Sequence, residues 1–245
     1  MKIKYFSPSF KRPEKSKTQL LFNEVTLVVC ESQADEYIAN KNRVWVVPDS
    51  AQGNLCRIRN YILDKNTDAD CVVLMDDDYN SFNRFNKQKN EKLTELGFYE
   101  FVENACIMAK DVGAKFWGVN CLSDKGAYRE HTPFSFVAYI GGPFQCFMKG
   151  NELRYDENLP LKEDYDMTLQ QLNKYRKVLR FNAYNYDVKQ AKQVGGCATY
   201  RNVEKEKSQL QALQNKWGSD IVKIDGCSKR GFDFNPILKI PIKGV

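Results

Sequence analysis

Histidine is nearly absent from this 245-residue chain: His131 is the only one. That excludes imidazole-rich metal centres and leaves carboxylates as the available hard ligands. The eight cysteines lie scattered with no CxxC pair, so neither a zinc site nor a disulfide framework is indicated. Several fall inside apolar runs such as TLVVC and FQCFM, which suits buried, reduced thiols. No apolar run approaches the roughly 18 residues of a spanning helix, and the opening MKIKYFSPSFKRPEK has no signal-peptide core. A soluble, cytoplasmic protein without membrane attachment is expected. Also missing are internal repeats, a low-complexity linker, and a glycine-rich, lysine-bearing phosphate loop near the start.

What is present is a hydrophobic fraction of 42% and a modest excess of cations, 37 Lys and Arg against 31 Asp and Glu. Two stretches concentrate that excess, residues 1–18 and 170–192, each with six cations and one acid. Such runs suit a polyanionic partner, a nucleotide diphosphate or nucleic acid.

The most informative segment is Cys71-Val72-Val73-Leu74-Met75 followed by Asp76-Asp77-Asp78. A short continuous apolar run reads as a strand buried on both faces, and its carboxyl end is where parallel α/β sheets bind ligands. Adjacent carboxylates repel, and a divalent cation is the simplest compensating partner. Asp76 and Asp78 are the candidate metal ligands, with Asp77 the least involved.

The remaining pattern predicts strands over 2–7, 25–30, 43–47, 115–120 and 177–182. It predicts helices after Asn54, through Phe98–Met108, from Glu163, and over 203–217. Phe136–Ile140 and Phe144–Met148 flank Gly141-Gly142-Pro143 and are predicted to pair as a hairpin, while 80–92 reads as a polar, basic loop. Alternating strands and helices predict an α/β fold with a mostly parallel central sheet, helices on both faces and a small antiparallel strand pair. One domain over 1–245 is expected, with the core in about 1–200 and a C-terminal helix and tail over 201–245.

Further candidates surround the acidic strand end. Glu163 and Asp164 open an amphipathic helix, where either could act as a general base toward an acceptor hydroxyl, Asp164 ahead of Glu163. Arg12, Arg57, Asp76, Gly141, Gly142 and Lys192 are candidates for contact with a nucleotide sugar. Arg84, Lys87 and Lys89, interleaved with Phe82 and Phe85, are candidates for nucleic-acid contact.

Taken in order, SPSFKRP after a strand, GNLCRIRNYIL, CVVLMDDDY and KEDYDMTL resemble the GT-A class of nucleotide-sugar glycosyltransferases, a Rossmann-related fold. More narrowly, the chain resembles the TET/JBP-associated glycosyltransferases of bacteriophages, which modify hydroxymethylated DNA bases. The resemblance runs over about residues 1–200. It implies a UDP-sugar donor, Mn²⁺ or Mg²⁺ held by Asp78 with Asp76 assisting, and an acceptor pocket near Glu163-Asp164. The acceptor it implies is a hydroxymethylated pyrimidine in DNA, 5-hydroxymethylcytosine foremost, in the cytoplasm of an infected host if the chain is phage-encoded. The class often adds a late histidine to the metal, and no histidine follows His131, which leaves that ligand to Asp187 or to water and phosphate. Alternatives are a saccharide, lipid or protein acceptor on the same fold, a sugar nucleotidyltransferase, and an inert nucleic-acid-binding module.

Overall fold

The computed structural model describes residues 1–87, 89–188, 195–224 and 234–242. In chain order the first strands and helices are β1 (Ile3–Pro8), α1 (Thr18–Leu21), β2 (Thr26–Cys30), α2 (Ala34–Ala39), β3 (Val44–Val47), α3 (Leu55–Lys65) and β4 (Cys71–Met75). They are followed by β5 (Tyr79–Asn86), β6 (Lys89–Lys92), α4 (Glu95–Asp111), β7 (Phe116–Asn120), β8 (Phe134–Ser135) and β9 (Phe144–Met148). The last are α5 (Glu163–Tyr175), β10 (Leu179–Val188), α6 (Val203–Trp217), β11 (Val222–Ile224) and β12 (Pro236–Leu238).

Ten strands form one sheet in the order β3-β2-β1-β4-β9-β7-β10-β5-β6, with β8 also paired to β10. The half built from β3, β2, β1 and β4 is parallel throughout. Beyond it β9 runs antiparallel to both β4 and β7, and β10 is parallel to β7 but antiparallel to β5. The architecture is α/β, a mixed central sheet with a parallel core.

The period-2 geometry of a strand explains how one sheet serves two cores. In β4, Cys71, Val73 and Met75 face a cluster with Phe98, Phe101, Val102 and Ala105 of α4. Val72 and Leu74 face the opposite cluster, with Cys56, Ile58 and Ile62 of α3 and Met167 of α5. All five residues of β4 are buried, as its unbroken apolar run predicts. Three α-helix starts among the described residues are capped by a side chain: Asn54 accepts the Arg57 N–H at α3, Thr94 that of Gly97 at α4, and Asn202 that of Lys205 at α6. No helix among the described residues is long and apolar enough to cross a membrane.

Two local expectations are corrected. Phe136–Ile140 is not a strand, because β9 already has β4 and β7 on its two edges and no side is left for a hairpin partner. The polar run 80–92 is not a loop but the hairpin β5–β6, in register from Asn83 opposite Lys92 to Asn86 opposite Lys89. Its alternation was hidden because only Phe82 and Phe85 carry the apolar signal, at 1% and 5% exposure. A small antiparallel pair does exist apart from the large sheet, formed by β11 and β12 in a tail where the sequence shows no clear element.

Trp117 is fully buried and its ring meets those of Phe101, Phe144 and Phe181 edge-on at 5.6–6.0 Å. Truncation there leaves a cavity between sheet and α4. Trp117→Ala is expected to lower unfolding free energy by about 3–5 kcal/mol, read from urea denaturation.

Candidate active site

The parallel half of the sheet changes winding direction at β1, which has β2 on one side and β4 on the other. The crevice outside the carboxyl ends at such a point is the favoured ligand site of an open α/β sheet. Ser9–Arg12 leave β1 there and Asp76–Asp78 leave β4, so the fold delivers both segments to one place.

The three aspartates are not equivalent. Asp77, 1% exposed, accepts a hydrogen bond from the Ser9 hydroxyl and is ion-paired with Arg12. A relay stands behind this contact: the Arg12 N–H donates to the Tyr37 hydroxyl at 3.1 Å, and Tyr37 lies 2.7 Å from Ser9 Oγ. Burial nonetheless pushes the Asp77 carboxyl up to about 6, with Arg12 and Ser9 opposing that rise. Its role is to fasten the turn to the β1 segment. Thr18 adds a second fastening, donating to the Asp76 carbonyl at 2.7 Å and accepting the Tyr79 N–H at 3.2 Å.

Asp76 keeps a side chain 33% exposed, with the buried Arg59 3.2 Å from its Oδ1. Asp78 is the carboxylate least compensated. Its nearest cation is Arg12 at 3.8 Å, and its Oδ1 is buried with no hydrogen-bond partner. Burial, followed by the charges of Asp76 and Asp77, holds its carboxyl well above the ordinary range.

Arg59 joins this cluster to the second one. Its guanidinium, fully buried, donates to the Gly142 carbonyl at 2.8 Å and to Gln145 Oε1 at 3.4 Å. It also lies 3.5 Å from Glu163 Oε1 and sits over the Tyr155 ring at 5.5 Å. Glu163 is 8% exposed, and burial together with the Asp164 charge raises its carboxyl despite Arg59. Asp164 Oδ2 accepts the Gly142 N–H at 3.0 Å and the Tyr139 hydroxyl, while Oδ1 accepts the Tyr165 N–H at 2.8 Å. The Tyr139 and Tyr165 rings stack at 4.3 Å.

Space is tight at both glycines of the GGP turn, and most so at Gly141. A Cβ on Gly142 would sit 3.3 Å from both Glu163 Oε1 and Asp164 Oδ2, and one on Gly141 would stand 2.5 Å from the Tyr186 hydroxyl. Their close approach is to the acid pair and its surroundings. Arg12 stands at the acidic turn, whereas Arg57 projects elsewhere, pairing with Glu157 at 2.8 Å and donating to the Gln52 carbonyl. The cation that α3 sends inward is Arg59. Helical phase carried that signal: Arg59 follows Cys56 by three residues and precedes Ile62 by three, on the apolar face, while Arg57 lies off it.

Lys192 lies outside the described residues. Just beyond it, Gly195 and Gly196 rest on the β1 segment, with the Gly196 N–H donating to the Phe10 carbonyl at 3.1 Å. Gly195 has φ +95°, and a Cβ there would meet that carbonyl at 2.6 Å. Arg84, Lys87 and Lys89 are exposed on the β5–β6 hairpin. The aromatics between them point inward, Phe85 stacking on Tyr128 at 5.4 Å, so the hairpin presents cations without ring faces.

Among the described residues no three His, Cys, Asp or Glu side chains converge as a metal-binding group. Asp187 is exposed and accepts from Asn80 at 3.4 Å, and His131 is exposed in the loop before β8. Two carboxylates, one with an unpartnered buried oxygen, still fit a hard cation whose other ligands are phosphate and water.

Comparison with known proteins adds the following. A family model described as TET-Associated Glycosyltransferase matches residues 3–196. No curated protein matches the chain. Among solved structures, S. aureus TarS (residues 1–349) is similar over 76% of this chain and 60% of its own, at 15% identity and TM-score 0.46. CMP:2-keto-3-deoxy-manno-octonic acid synthetase, complexed with CTP, is similar over 88% of this chain and 100% of its own, at 11% identity and TM-score 0.44.

The raised carboxyls carry a pH signature. Between its ordinary 3.8 and about 6, Asp77 keeps a proton that the unfolded chain has released, so stability falls as pH rises through that window. Asp78 contributes with the same sign. Asp78→Asn is therefore expected to stabilise the metal-free protein at pH 8, by about 1–3 kcal/mol, with the gain fading toward pH 4. Thermal melts of both proteins across that range check this.

Proposed function

The chain belongs to the TET-associated glycosyltransferase family, and from that premise we propose that it moves a sugar from a UDP-sugar to a hydroxymethylated pyrimidine in DNA, 5-hydroxymethylcytosine foremost. Membership makes it a glycosyltransferase, which draws its sugar from a nucleotide-sugar donor. The observation that supports a sugar-transfer site is the buried guanidinium of Arg59, which touches Asp76 on one side and Glu163 on the other, while the DNA acceptor is argued from the family. One site thereby holds a donor-side and an acceptor-side carboxylate group.

In this reading Asp78 and Asp76 would hold Mn²⁺ or Mg²⁺, which when bound would supply positive charge to the departing nucleoside diphosphate. Arg12, anchored by Asp77, borders the same crevice and adds fixed positive charge. Asp164 accepts the proton of the attacking hydroxyl. It is half-buried where Glu163 is 8% exposed, so it is the member of the pair that an acceptor reaches. The Gly142 N–H and the Tyr139 hydroxyl set its orientation. Glu163 stays with Arg59 and keeps that guanidinium compensated. Deprotonation of the attacking oxygen by Asp164 gives direct displacement, with inversion at the sugar carbon.

A base inside a duplex is out of reach of such a crevice, so the substrate is single-stranded or has the target nucleotide extruded. Arg84, Lys87 and Lys89 supply exposed positive charge for the strand's phosphates.

The test offers hydroxymethylated and plain DNA with a panel of UDP-sugars and Mn²⁺, and reads nucleoside mass. A hexose or pentose increment on the hydroxymethylated base alone is expected, lost on chelation and reduced at least about 100-fold by Asp78→Asn. UDP-sugar hydrolysis with no increment on any hydroxymethylated base would remove DNA as the acceptor and leave the glycosyltransferase.

A further inference from the structure

We infer that α6, which lies outside the residues matched by the family model, is a positioning element for the acid pair at the start of α5. It acts through two buried ionic anchors on the side of α5 turned away from the site. The inference rests on the reading of Glu163 and Asp164 as groups at the reaction centre.

Successive helical residues are offset by about 100°, so Asp166 and Leu169 share a face that Lys162 flanks, and Asp164 stands on the opposite one. The contacts follow this division. Glu163 and Asp164 meet Arg59, Gly142 and Tyr139, while Lys162 and Asp166 reach α6.

At the first anchor the Lys162 ammonium, 1% exposed, pairs with Glu206, whose other carboxylate oxygen is 2.8 Å from Arg201 Nε. At the second, Asp166, fully buried, accepts the Trp217 indole N–H at 2.8 Å and lies 2.9 Å from Lys216 Nζ. Lys216 also holds Asp156 at 2.8 Å, which ties the segment before α5 to the same point. Between the anchors Leu169, Leu210 and Leu213 form an apolar seam with Leu159 and Val222.

An apolar seam alone tolerates small rotations of one helix on another, because dispersion contacts have little direction. Two ion pairs at opposite ends of α6 do not, since rotation would strand a buried charge at each. A rotation of α5 by a few tens of degrees would also carry Asp164 off the Gly142 N–H. The anchors therefore fix the azimuth of the acid pair without touching substrate.

The test removes the first anchor without stranding a charge. In Lys162→Met with Glu206→Met, Arg201 is left with 45% exposure and is solvated, and similar-volume apolar pairs replace buried ion pairs with little loss of stability. The expected result is an unchanged melting temperature within a few degrees, UDP–Mn²⁺ affinity and donor KM within about two-fold, and kcat lower by about 10- to 100-fold. A folded double variant with unchanged kcat would overturn the inference and leave α6 as packing only. So would a kcat loss matched by an equal loss of UDP–Mn²⁺ binding.

Trp217→Phe is the second variant, keeping an aromatic ring while removing the N–H to Asp166 together with part of the indole's volume, and leaving the Lys216–Asp166 pair in place. A drop in kcat at constant KM is expected, and no change in kcat counts against the inference. Asp164→Asn in the otherwise native chain separates the two levels. If it retains full turnover, the reading of the site fails. If it abolishes turnover while the double variant does not lower kcat, only the role of α6 fails.

Discussion

A guanidinium with no access to solvent is costly unless it is compensated, and Arg59 is such a group, its two terminal nitrogens partnered while its buried Nε has no hydrogen-bond partner. Its partners come from five places in the sequence: the end of β4, the turn before β9, Gln145 in β9, the aromatic ring of Tyr155 and the first turn of α5. None of these segments can shift far without leaving the charge unpaired. The arginine thus links the acidic strand end to the acid pair of α5, and the geometry of both follows from it. Gly142 belongs to the same constraint, since its carbonyl accepts from Arg59 while its N–H donates to Asp164.

Around that centre the carboxylates divide by what compensates them. Asp77 has Arg12 and Ser9, and Asp76 and Glu163 share Arg59, while Asp78 keeps a buried oxygen without a partner. Repulsion among three consecutive aspartates is therefore met mostly by two arginines, and the least compensated of the three is Asp78. Holding an under-compensated carboxylate costs stability.

Elements whose own chemistry was sufficient were legible. β4 is an apolar run too long and too uniform to be half-exposed, and the helices over 98–108 and 203–217 repeat their apolar residues at one helical face. Elements that depend on a distant partner were not. The β5–β6 hairpin has weak alternation of its own and exists because β10 pairs with β5. Phe136–Ile140 has the composition of a strand and is excluded because both edges of β9 are taken. Arg57 and Arg59 are two cations on one helix whose phase relative to Cys56 and Ile62 differs, and only Arg59 falls on the buried face.

By itself, the order of residues determined the α/β class, the acidic turn at the end of a buried strand and the acid pair at a helix start. Each is a local pattern, set by period, burial and charge within about ten residues. Only the tertiary structure decided which arginine of α3 is buried between the two carboxylate groups and which aspartate is least compensated. It also decided that a C-terminal helix braces the acid pair from behind. Those are questions of which charges are brought within a few ångströms of one another, and such distances are set by the sheet order and helix packing rather than by neighbours along the chain.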